Sequence, residues 1–381
     1  MAVTNTTLYF RTLAYIAIFL LWGVSLLNGT VQALLLAVWS GRFGAEGIPL
    51  RTNYTGIPIL DYPIALLVAF FFYGTNGHDE GYQRFLLDAY STLQSAFVWL
   101  YVETLRPGHQ SKWINRYVIL VFREARLVSS EGRPLVFGIL WQCVGAAISL
   151  PVYYALHLEW VSHTKIVRAT KLDKARSIPV AFILGAVIPW LVGMAPTWLG
   201  PNVDAEVHQT ILFFWQPDPV WVSGILTAAV STSTWLFSRS AGGRNDQAKI
   251  RWWVRTSYLL AATSSALGHL YVAGRIINSN SEAVAFLRMY VPLQLVGPSG
   301  TEYNIFAGGP WLFLQFDFII ISLSSLSWAF LLLRETSLRR KLSTSGLTLC
   351  LTAGFLILGP GSTVSLALLA REELLPEPIP A

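Results

Sequence analysis

The stretch WLFLQFDFIIISLSSLSWAFLLL, residues 311–333, decides the fold class of this protein. Asp317 is its single charged side chain, and an apolar run of this length crosses the ~30 Å hydrocarbon core of a bilayer as a helix. Other long apolar runs predict spans at residues 13–38, 58–74, 85–105, 134–156, 178–199, 219–238, 254–273 and 346–369. The sequence therefore predicts an all-α protein, a polytopic transmembrane helix bundle with eight or nine spans. Residues 1–381 would form a single integral membrane domain, with residues 371–381 as a short polar tail.

The composition agrees with a chain that lies mostly in lipid. Hydrophobic residues make up 54% of it and charged residues only 13%, which is about half the charged share of soluble domains. The net charge is +6, but the Lys and Arg residues cluster between the apolar runs, as membrane insertion favours, and give no support for nucleic-acid binding. Both cysteines, Cys143 and Cys350, lie in predicted spans, so neither a disulfide framework nor a structural metal site is expected.

The basic loops predict the orientation of the C-terminal half and leave that of the N-terminal half open. Residues 157–177 are rich in Lys and Arg and should face the cytoplasm, whereas residues 200–218 contain neither and should be lumenal. Residues 106–133 are also basic, although one predicted crossing separates them from the cytoplasmic loop. Either this segment is lumenal despite its charge, or the run 134–156 is a broken or re-entrant element instead of a full crossing.

Three smaller features carry predictions of their own. If the chain alternates strictly, the loop before the second span is lumenal, and Asn53 in its Asn-Tyr-Thr sequon is available for glycosylation. The first apolar run is interrupted by Asn28-Gly29-Thr30, and we interpret it as a signal anchor that stays in the protein. The apolar piece at residues 286–295 is either a lid on the lumenal interface or an interfacial loop that only packs.

Ionisable side chains within the spans are the best pointers to function. A carboxyl group in hydrocarbon is costly unless it is paired, neutral or facing a cavity. Four acids are candidate catalytic residues on this ground: Asp317, Asp88, Glu103 and Asp61. Structural roles are the alternatives: Asp88 could lie near the headgroups at a helix N-terminus, Glu103 could pair with Arg106, and Asp61 could be an N-cap.

Aromatic side chains are abundant, with 15 Trp, 15 Tyr and 21 Phe, and several lie within spans. Aromatic faces stabilise a carbocation by about 1–2 kcal/mol per desolvated contact. A buried neutral carboxyl beside them can protonate an epoxide or an alkene and keep the cation from water. Candidate substrate-binding residues on the polar or aromatic helix faces are Trp99, Ser95, Tyr258, His269, Phe313 and Trp328. Packing alone would also explain such aromatics, and a lone histidine inside a helix.

Familiar cofactor motifs are missing from the sequence. It has no Asp-rich diphosphate-binding motif, histidine box, P-loop, nucleotide-binding glycine motif or Gly-x-Ser-x-Gly elbow. We therefore expect any reaction to run on acid–base groups alone, without a metal or cofactor.

Three short motifs resemble a family of fungal integral membrane proteins from indole-diterpene and meroterpenoid clusters, which includes ascochlorin-type and paxilline-type cyclases. They are GIPILD at residues 56–61, FLQFD at residues 313–317 and LGPG at residues 358–361, the last followed by Arg-Glu-Glu at 371–373. The resemblance implies a transmembrane terpene cyclase that protonates a prenyl epoxide or olefin. Matched by position, it points to Asp61 and Asp317.

The leading hypothesis is a membrane-bound terpene cyclase of fungal secondary metabolism, of isomerase or lyase type, that makes a meroterpenoid or an indole diterpene. Its expected partners are a lipophilic prenylated small molecule, membrane lipid and other enzymes of the pathway. The endoplasmic reticulum is the expected location. The alternative is a transporter or scaffold for a lipophilic biosynthetic intermediate, although no internal repeat is visible to support a coupled transporter.

Overall fold

The protein is a bundle of α-helices, with one two-stranded hairpin as its β-structure in the described residues. The computed structural model describes residues 3–44, 47–106, 132–163, 167–169, 171–199, 203–237, 245–292, 304–336, 338 and 342–376. Among these residues, four helices are long and apolar enough to cross a membrane: Asn5–Leu27, Pro58–Thr75, Leu172–Ala195 and Ile305–Arg334. The all-α class is therefore confirmed, while the predicted count of eight or nine spans is not.

The described part of the N-terminal half holds the hairpin and six helices. Helix α1, Val3–Ile18, continues through a π-helical turn, Phe19–Gly23, into Val24–Leu27. Helix α2, Thr30–Ser40, comes next and is followed by the antiparallel strands β1, Arg42–Phe43, and β2, Ile48–Pro49. The remaining helices of this half are α3, Pro58–Thr75; α4, Glu80–Glu103; α5, Arg133–Val144; and α6, Ala146–His163.

The C-terminal half is helical throughout its described part. Helix α7, Leu172–Phe182, continues through a π-helical stretch, Ile183–Val187, into Ile188–Leu199. A 3₁₀ turn, Glu282–Val284, precedes the short helix Phe286–Tyr290, which is α11. The other helices are α8, Ala205–Trp215; α9, Asp218–Phe237; α10, Asn245–Asn278; α12, Ile305–Arg334; α13, Thr344–Leu358; and α14, Pro360–Leu374.

Short polar side chains start several of these helices. Asp79 accepts a hydrogen bond from the amide of Tyr82 at the start of α4, and Asn304 accepts one from the amide of Phe306 at the start of α12. Such caps satisfy amide groups that have no partner inside the helix. The ends of these long apolar runs are therefore set locally by the sequence.

Helix α4 lies at the centre of the bundle. Nearly all of its residues are buried, so its polar side chains, among them Asp88 and Ser95, face other helices. Helix α10 packs along α4 and α14, while α12 packs along α6 and α14. Helix α1 lies against α6 on the outside.

The first predicted span is not one helix. Residues 13–38 are interrupted at Gly29, whose φ of 82° is left-handed and favours glycine. The side chain of Asn28 accepts hydrogen bonds from the amide and the hydroxyl of Thr30, which opens helix α2. The apolar run therefore divides into one helix that is long enough to cross a membrane and a second helix of 11 residues, which is about half the length needed to cross a bilayer.

The run 134–156 is broken at Gly145, as one of the two alternatives from the charge pattern required. Gly145 has φ 102°, and α5 and α6 fold back on each other there. The rings of Phe137 and Tyr153, each eight residues from the glycine, lie 5.2 Å apart. The ends of the run consequently lie at the same end of the bundle, where Arg106 donates to the carbonyl of Val167. The two basic segments no longer conflict, although residues 107–131 lie outside the described residues.

The last predicted span, 346–369, is also broken. Helices α13 and α14 meet at Gly359, φ 81°, and fold back so that Gly354 packs against Thr363. The predicted polar tail begins too early, because Arg371 and Glu372 are buried within α14. Its last residues, 377–381, lie outside the described residues.

Replacement of Gly145 by alanine should destabilise the fold. A Cβ atom at this position would lie 2.6 Å from Leu21 Cδ2 and 3.2 Å from Asp317 Oδ1, in a backbone conformation that side chains rarely adopt. We expect a loss of about 1–3 kcal/mol in the free energy of unfolding, measured by thermal unfolding in detergent. The control is Gly224→Ala in α9, where a Cβ meets nothing within 4 Å and where alanine favours the helix. Equal effects of the two changes would contradict a strained break at Gly145.

Candidate active site

An apolar cavity lies where α1, α2, α3, α4 and α12 surround the break between α5 and α6. The empty space between its lining atoms, including the open mouth, has a volume of about 810 Å³. Aromatic rings form much of its wall: Trp22, Phe70, Phe71, Tyr90, Trp141 and Phe313. Asp317 is the one acid among the lining residues that the structure describes.

Two helix elements place the Asp317 carboxyl in this wall. Asp317 lies in the middle of α12 and is 6% exposed. The break at Gly145 directs the N-terminus of α6 toward it, and the amide of Ala147 donates to Oδ1 at 2.8 Å. In the described residues no Lys, Arg or His side chain bonds to Asp317. This carboxyl is therefore buried without a cationic partner.

The aromatic rings beside Asp317 are held edge to face. Phe313, one turn before Asp317, lies 5.7 Å from Trp22 and 5.3 Å from Phe70 between ring centroids, at angles of 90° and 83°. The indole nitrogen of Trp22 donates to the carbonyl of Val144 at 2.9 Å, next to the break. Such ring packing is rigid and presents aromatic faces and edges at fixed positions.

Sequence reasoning missed two residues near this cavity, Gln142 and Asp218. Asp218, the first residue of α9, was placed in a lumenal loop but is buried, with 2% exposure. Its Oδ1 accepts from Gln142 Nε2 at 2.7 Å and its Oδ2 from Gln94 Nε2 at 3.1 Å. An acid directly before the proline that opens an apolar run could have indicated it, but no sequence pattern pointed to Gln142.

Asp88 and His269, both predicted site residues, lie together away from the cavity lining. His269 Nδ1 is 3.1 Å from each oxygen of the fully buried Asp88 carboxyl. Tyr290 donates to Asp88 Oδ2 at 2.5 Å, and His269 Nε2 lies 3.4 Å from the carbonyl of Leu356. Because Tyr290 ends α11, the segment predicted as a lid or a loop is fastened to the bundle. The rest of the connection, residues 293–303, lies outside the described residues.

Glu103 belongs to a buried ionic cluster. Arg106 Nε donates to its Oε2 at 2.8 Å, Arg371 to its Oε1 at 2.7 Å, and His157 Nε2 lies 3.0 Å from Oε2. Glu372 accepts from Arg106 at 2.8 Å, so two carboxylates face two guanidinium groups. A proton donor must be neutral before it acts, whereas two guanidinium partners favour a charged carboxylate. The alternative of a partner for Arg106 therefore describes this geometry better than catalysis does.

Asp61 holds a loop in place. Its Oδ1 accepts from the amides of Tyr54 and Thr55 at 3.1 and 2.7 Å and from the Thr55 hydroxyl at 2.8 Å, while Oδ2 accepts from the amide of Gly56 at 3.0 Å. These four bonds fix the turn that leads into α3. The N-cap alternative is wrong, because Ile57 is the residue before α3 and Asp61 lies in the first turn of the helix. A catalytic role for Asp61 stays a prediction.

Of the predicted substrate-binding residues, Phe313 lines the cavity beside Asp317. Trp328, three turns beyond Asp317 on α12, instead donates to His157 Nδ1 at 3.2 Å, beside the ionic cluster. Tyr258 is fully buried within electrostatic range of the same cluster. Phe313 and Trp328, both on α12, thus lie in two different environments.

Trp99 and Ser95 pack within the helix bundle. Trp99 Nε1 donates to Ser365 Oγ at 2.8 Å, and Ser95 Oγ donates to the carbonyl of Ala261 at 3.1 Å. These bonds join α4 to α14 and α10. Neither residue lines the cavity around Asp317.

Metal ligands do not gather in the part of the chain that the structure describes, where no group of three or more His, Cys, Asp or Glu side chains is close enough to hold an ion. A reaction without metal or cofactor stays a prediction.

Comparison with known proteins assigns the family. Residues 6–376 match the CtvD domain, so the chain belongs to the CtvD-domain family. It is 29% identical to terpene cyclase DEP1 of Alternaria brassicicola, with 97% of this chain and 98% of that protein aligned. It is 27% identical to terpene cyclase DEP1 of Fusarium langsethiae, over 92% and 94% of the two chains. Terpene cyclase alnG of Emericella nidulans is 22% identical, over 96% and 94%.

The suspected resemblance to fungal terpene cyclases is thereby confirmed. No solved structure matches the chain.

Loss of the Glu103 carboxylate should destabilise the protein strongly. Glu103→Gln leaves Arg106 and Arg371 buried without their shared counter-charge, which costs on the order of 3–5 kcal/mol. The control is Arg275→Gln, because Arg275 pairs with Glu80 at 3.0 Å with side chains 49% and 40% exposed, and such a pair contributes about 0–1 kcal/mol. Thermal unfolding in detergent measures both. A shift for Glu103→Gln as small as that of the control would show that the cluster does not hold the bundle together.

Proposed function

We propose that the protein is a membrane-bound terpene cyclase in which Asp317 starts ring closure by protonating a prenyl epoxide or olefin. The observation that carries this proposal is a carboxyl without a cationic partner in the wall of an aromatic-lined cavity. The family's relatives named as terpene cyclases support the reaction class.

The environment of Asp317 suits an acid that must both give up a proton and tolerate the charge that remains. Burial in an apolar wall disfavours the charged carboxylate before the reaction. The amide of Ala147, at the positive end of the α6 dipole, stabilises the negative charge that develops as the proton leaves. The resulting carboxylate is then a counter-ion for the carbocation in the same cavity.

The atoms of the reaction balance without a further reactant. For an epoxide, the Asp317 proton goes to the oxygen, the carbon–oxygen bond opens, and an olefin carbon attacks the freed carbon. The positive charge passes to the other olefin carbon, and a neighbouring carbon–hydrogen bond then breaks to form a new double bond. Among the described residues Asp317 is the one acid that lines the cavity, and its carboxylate takes this proton back. Substrate and product have the same formula, as in an isomerase.

The surrounding rings would shelter and steer the cation. Trp22, Phe70 and Phe313 offer aromatic surface next to the acid, and each desolvated cation–π contact contributes about 2 kcal/mol. A dry wall also prevents water from ending the reaction early. The proposal thus assigns the predicted catalytic role to Asp317 and the predicted substrate contact to Phe313.

Replacement of Asp317 by asparagine should abolish the cyclised product. Asparagine keeps an oxygen that accepts from Ala147 but has no acidic proton, and loss of a general acid lowers the rate by roughly 10²–10⁴-fold. The measurement is mass spectrometry of membranes supplied with prenylated epoxides and olefins. The control is Asp204→Asn, since Asp204 is an exposed N-cap that asparagine replaces well.

Three outcomes would change the assignment. Unaltered product from folded Asp317→Asn would reject Asp317 as the donor, and loss of product from Asp88→Asn alone would move the role to Asp88. Binding of the prenylated molecule by the wild-type protein with no new product would favour the transporter or scaffold.

Location in the membrane of the endoplasmic reticulum follows from the same proposal, since prenylated substrates partition into lipid. The exposed loop with Asn53 would face the lumen. We expect an endoglycosidase to increase the gel mobility of the wild-type protein and to leave Asn53→Gln unchanged. A wild-type protein in fungal membranes that the enzyme does not shift would place this loop on the cytoplasmic side or show the site unused.

A further inference from the structure

The cavity has a second polar wall that proton transfer from Asp317 does not use. Gln142, near the end of α5, lines the cavity, and its Nε2 donates to Asp218 Oδ1 at 2.7 Å. Gln94 on α4 donates to Asp218 Oδ2 at 3.1 Å from behind. Side chains of three helices therefore meet at one carboxyl, which is 2% exposed.

The bond to Asp218 fixes the direction of the Gln142 amide. The donor and the acceptor of an amide group point in different directions from one carbon atom. With Nε2 bound to Asp218, Oε1 is turned away from the carboxyl, and no side chain or amide in the described residues donates to it. Gln142 thus presents an unpaired carbonyl oxygen where it lines the cavity.

This arrangement is costly, which argues against packing as its only purpose. The amide nitrogen of Gln94 donates to Asp218, while Gln94 Oε1 is buried without a hydrogen-bond partner among the described residues. A buried acceptor without a donor is unfavourable, and apolar side chains of similar size would avoid it. Buried polar groups kept at such a cost are typical of functional sites.

We propose that Gln142 contacts the cyclising substrate and that its carbonyl oxygen stabilises the positive charge during ring closure. Asp218 is the positioning residue that holds the amide in this direction. The inference rests on the proposed cyclase function and adds a second electrostatic element to it.

The chemistry follows from the charge on the amide oxygen. When the olefin carbon forms the new carbon–carbon bond, positive charge passes to a carbon that has moved away from the epoxide oxygen. A fixed partial negative charge in a low-dielectric wall lowers the energy of that cation and costs no reorganisation during the reaction. If the amide were reversed, its N–H groups would face the cation and raise its energy.

Product analysis of three variants tests the proposal: Gln142→Met, Asp218→Asn and the double variant. Methionine keeps the length of the side chain but removes the carbonyl dipole. Asparagine at 218 keeps the size of the side chain and can donate to Gln142 Oε1, which would turn the amide. We expect each single change to lower the ratio of fully cyclised to partly cyclised product by about tenfold or more.

The double variant separates positioning from simple structural support. If Asp218 acts through Gln142, then Asp218→Asn has no further effect on the product ratio once residue 142 is methionine. Asp204→Asn is the control, and thermal unfolding of every variant reports the fold. An unchanged ratio in folded Gln142→Met, or additive effects in the double variant, would overturn the proposal. A wild-type protein that forms no cyclised product would instead reject the cyclase function itself.

Discussion

Helix breaks inside the bundle set free backbone groups that must find partners away from water. Among the described residues, apolar runs are interrupted at Gly29, Gly145 and Gly359, each with a left-handed φ. In an apolar interior an unpaired amide or carbonyl costs several kcal/mol. At Gly145 the carbonyl of Val144 accepts from the Trp22 indole, and the amide of Ala147, just beyond the break, donates to Asp317. The position of this carboxyl is a direct consequence of that requirement.

The same requirement recurs at the other breaks with different residues. His269 Nε2 lies 3.4 Å from the Leu356 carbonyl near Gly359, and Asn28 caps the helix that starts at Thr30. Only at Gly145 does the partner face an apolar cavity with aromatic walls. This difference gives Asp317 a chemical opportunity that the other partners of broken helices lack.

Buried carboxyl groups in this bundle divide by their partners. Glu103 faces two guanidinium groups, which suits a structural ion cluster, and Asp61 accepts four hydrogen bonds from one loop. Asp317 accepts a hydrogen bond from a backbone amide, that of Ala147, and lines a cavity. Burial alone would not separate these acids, because all are at most 6% exposed. Charge and direction of the neighbouring donors decide which carboxyl suits proton transfer.

The sequence predicted the helical class and the family, since these depend on long apolar runs and short motifs, and it named Asp317 as one of four candidate acids. It overestimated the continuity of the spans, because a single glycine such as Gly145 changes hydropathy little and yet reverses the chain. The cavity wall around Gln142 and Asp218 was missed for a related reason. Contacts between α5 and α9 depend on how the helices fold back, which residue spacing within one helix does not reveal.

Photo-crosslinking tests whether the substrate binds in the cavity beside Asp317. A prenylated analogue with a diazirine at its terminal isoprene unit is bound to the membrane protein and irradiated, and the labelled peptides are identified by mass spectrometry. We expect label on the cavity helices, at Trp22, Phe70 or Phe313. An excess of unmodified substrate should prevent this labelling. Competed label confined to the surroundings of Asp88 or Glu103, with none in the cavity, would contradict it.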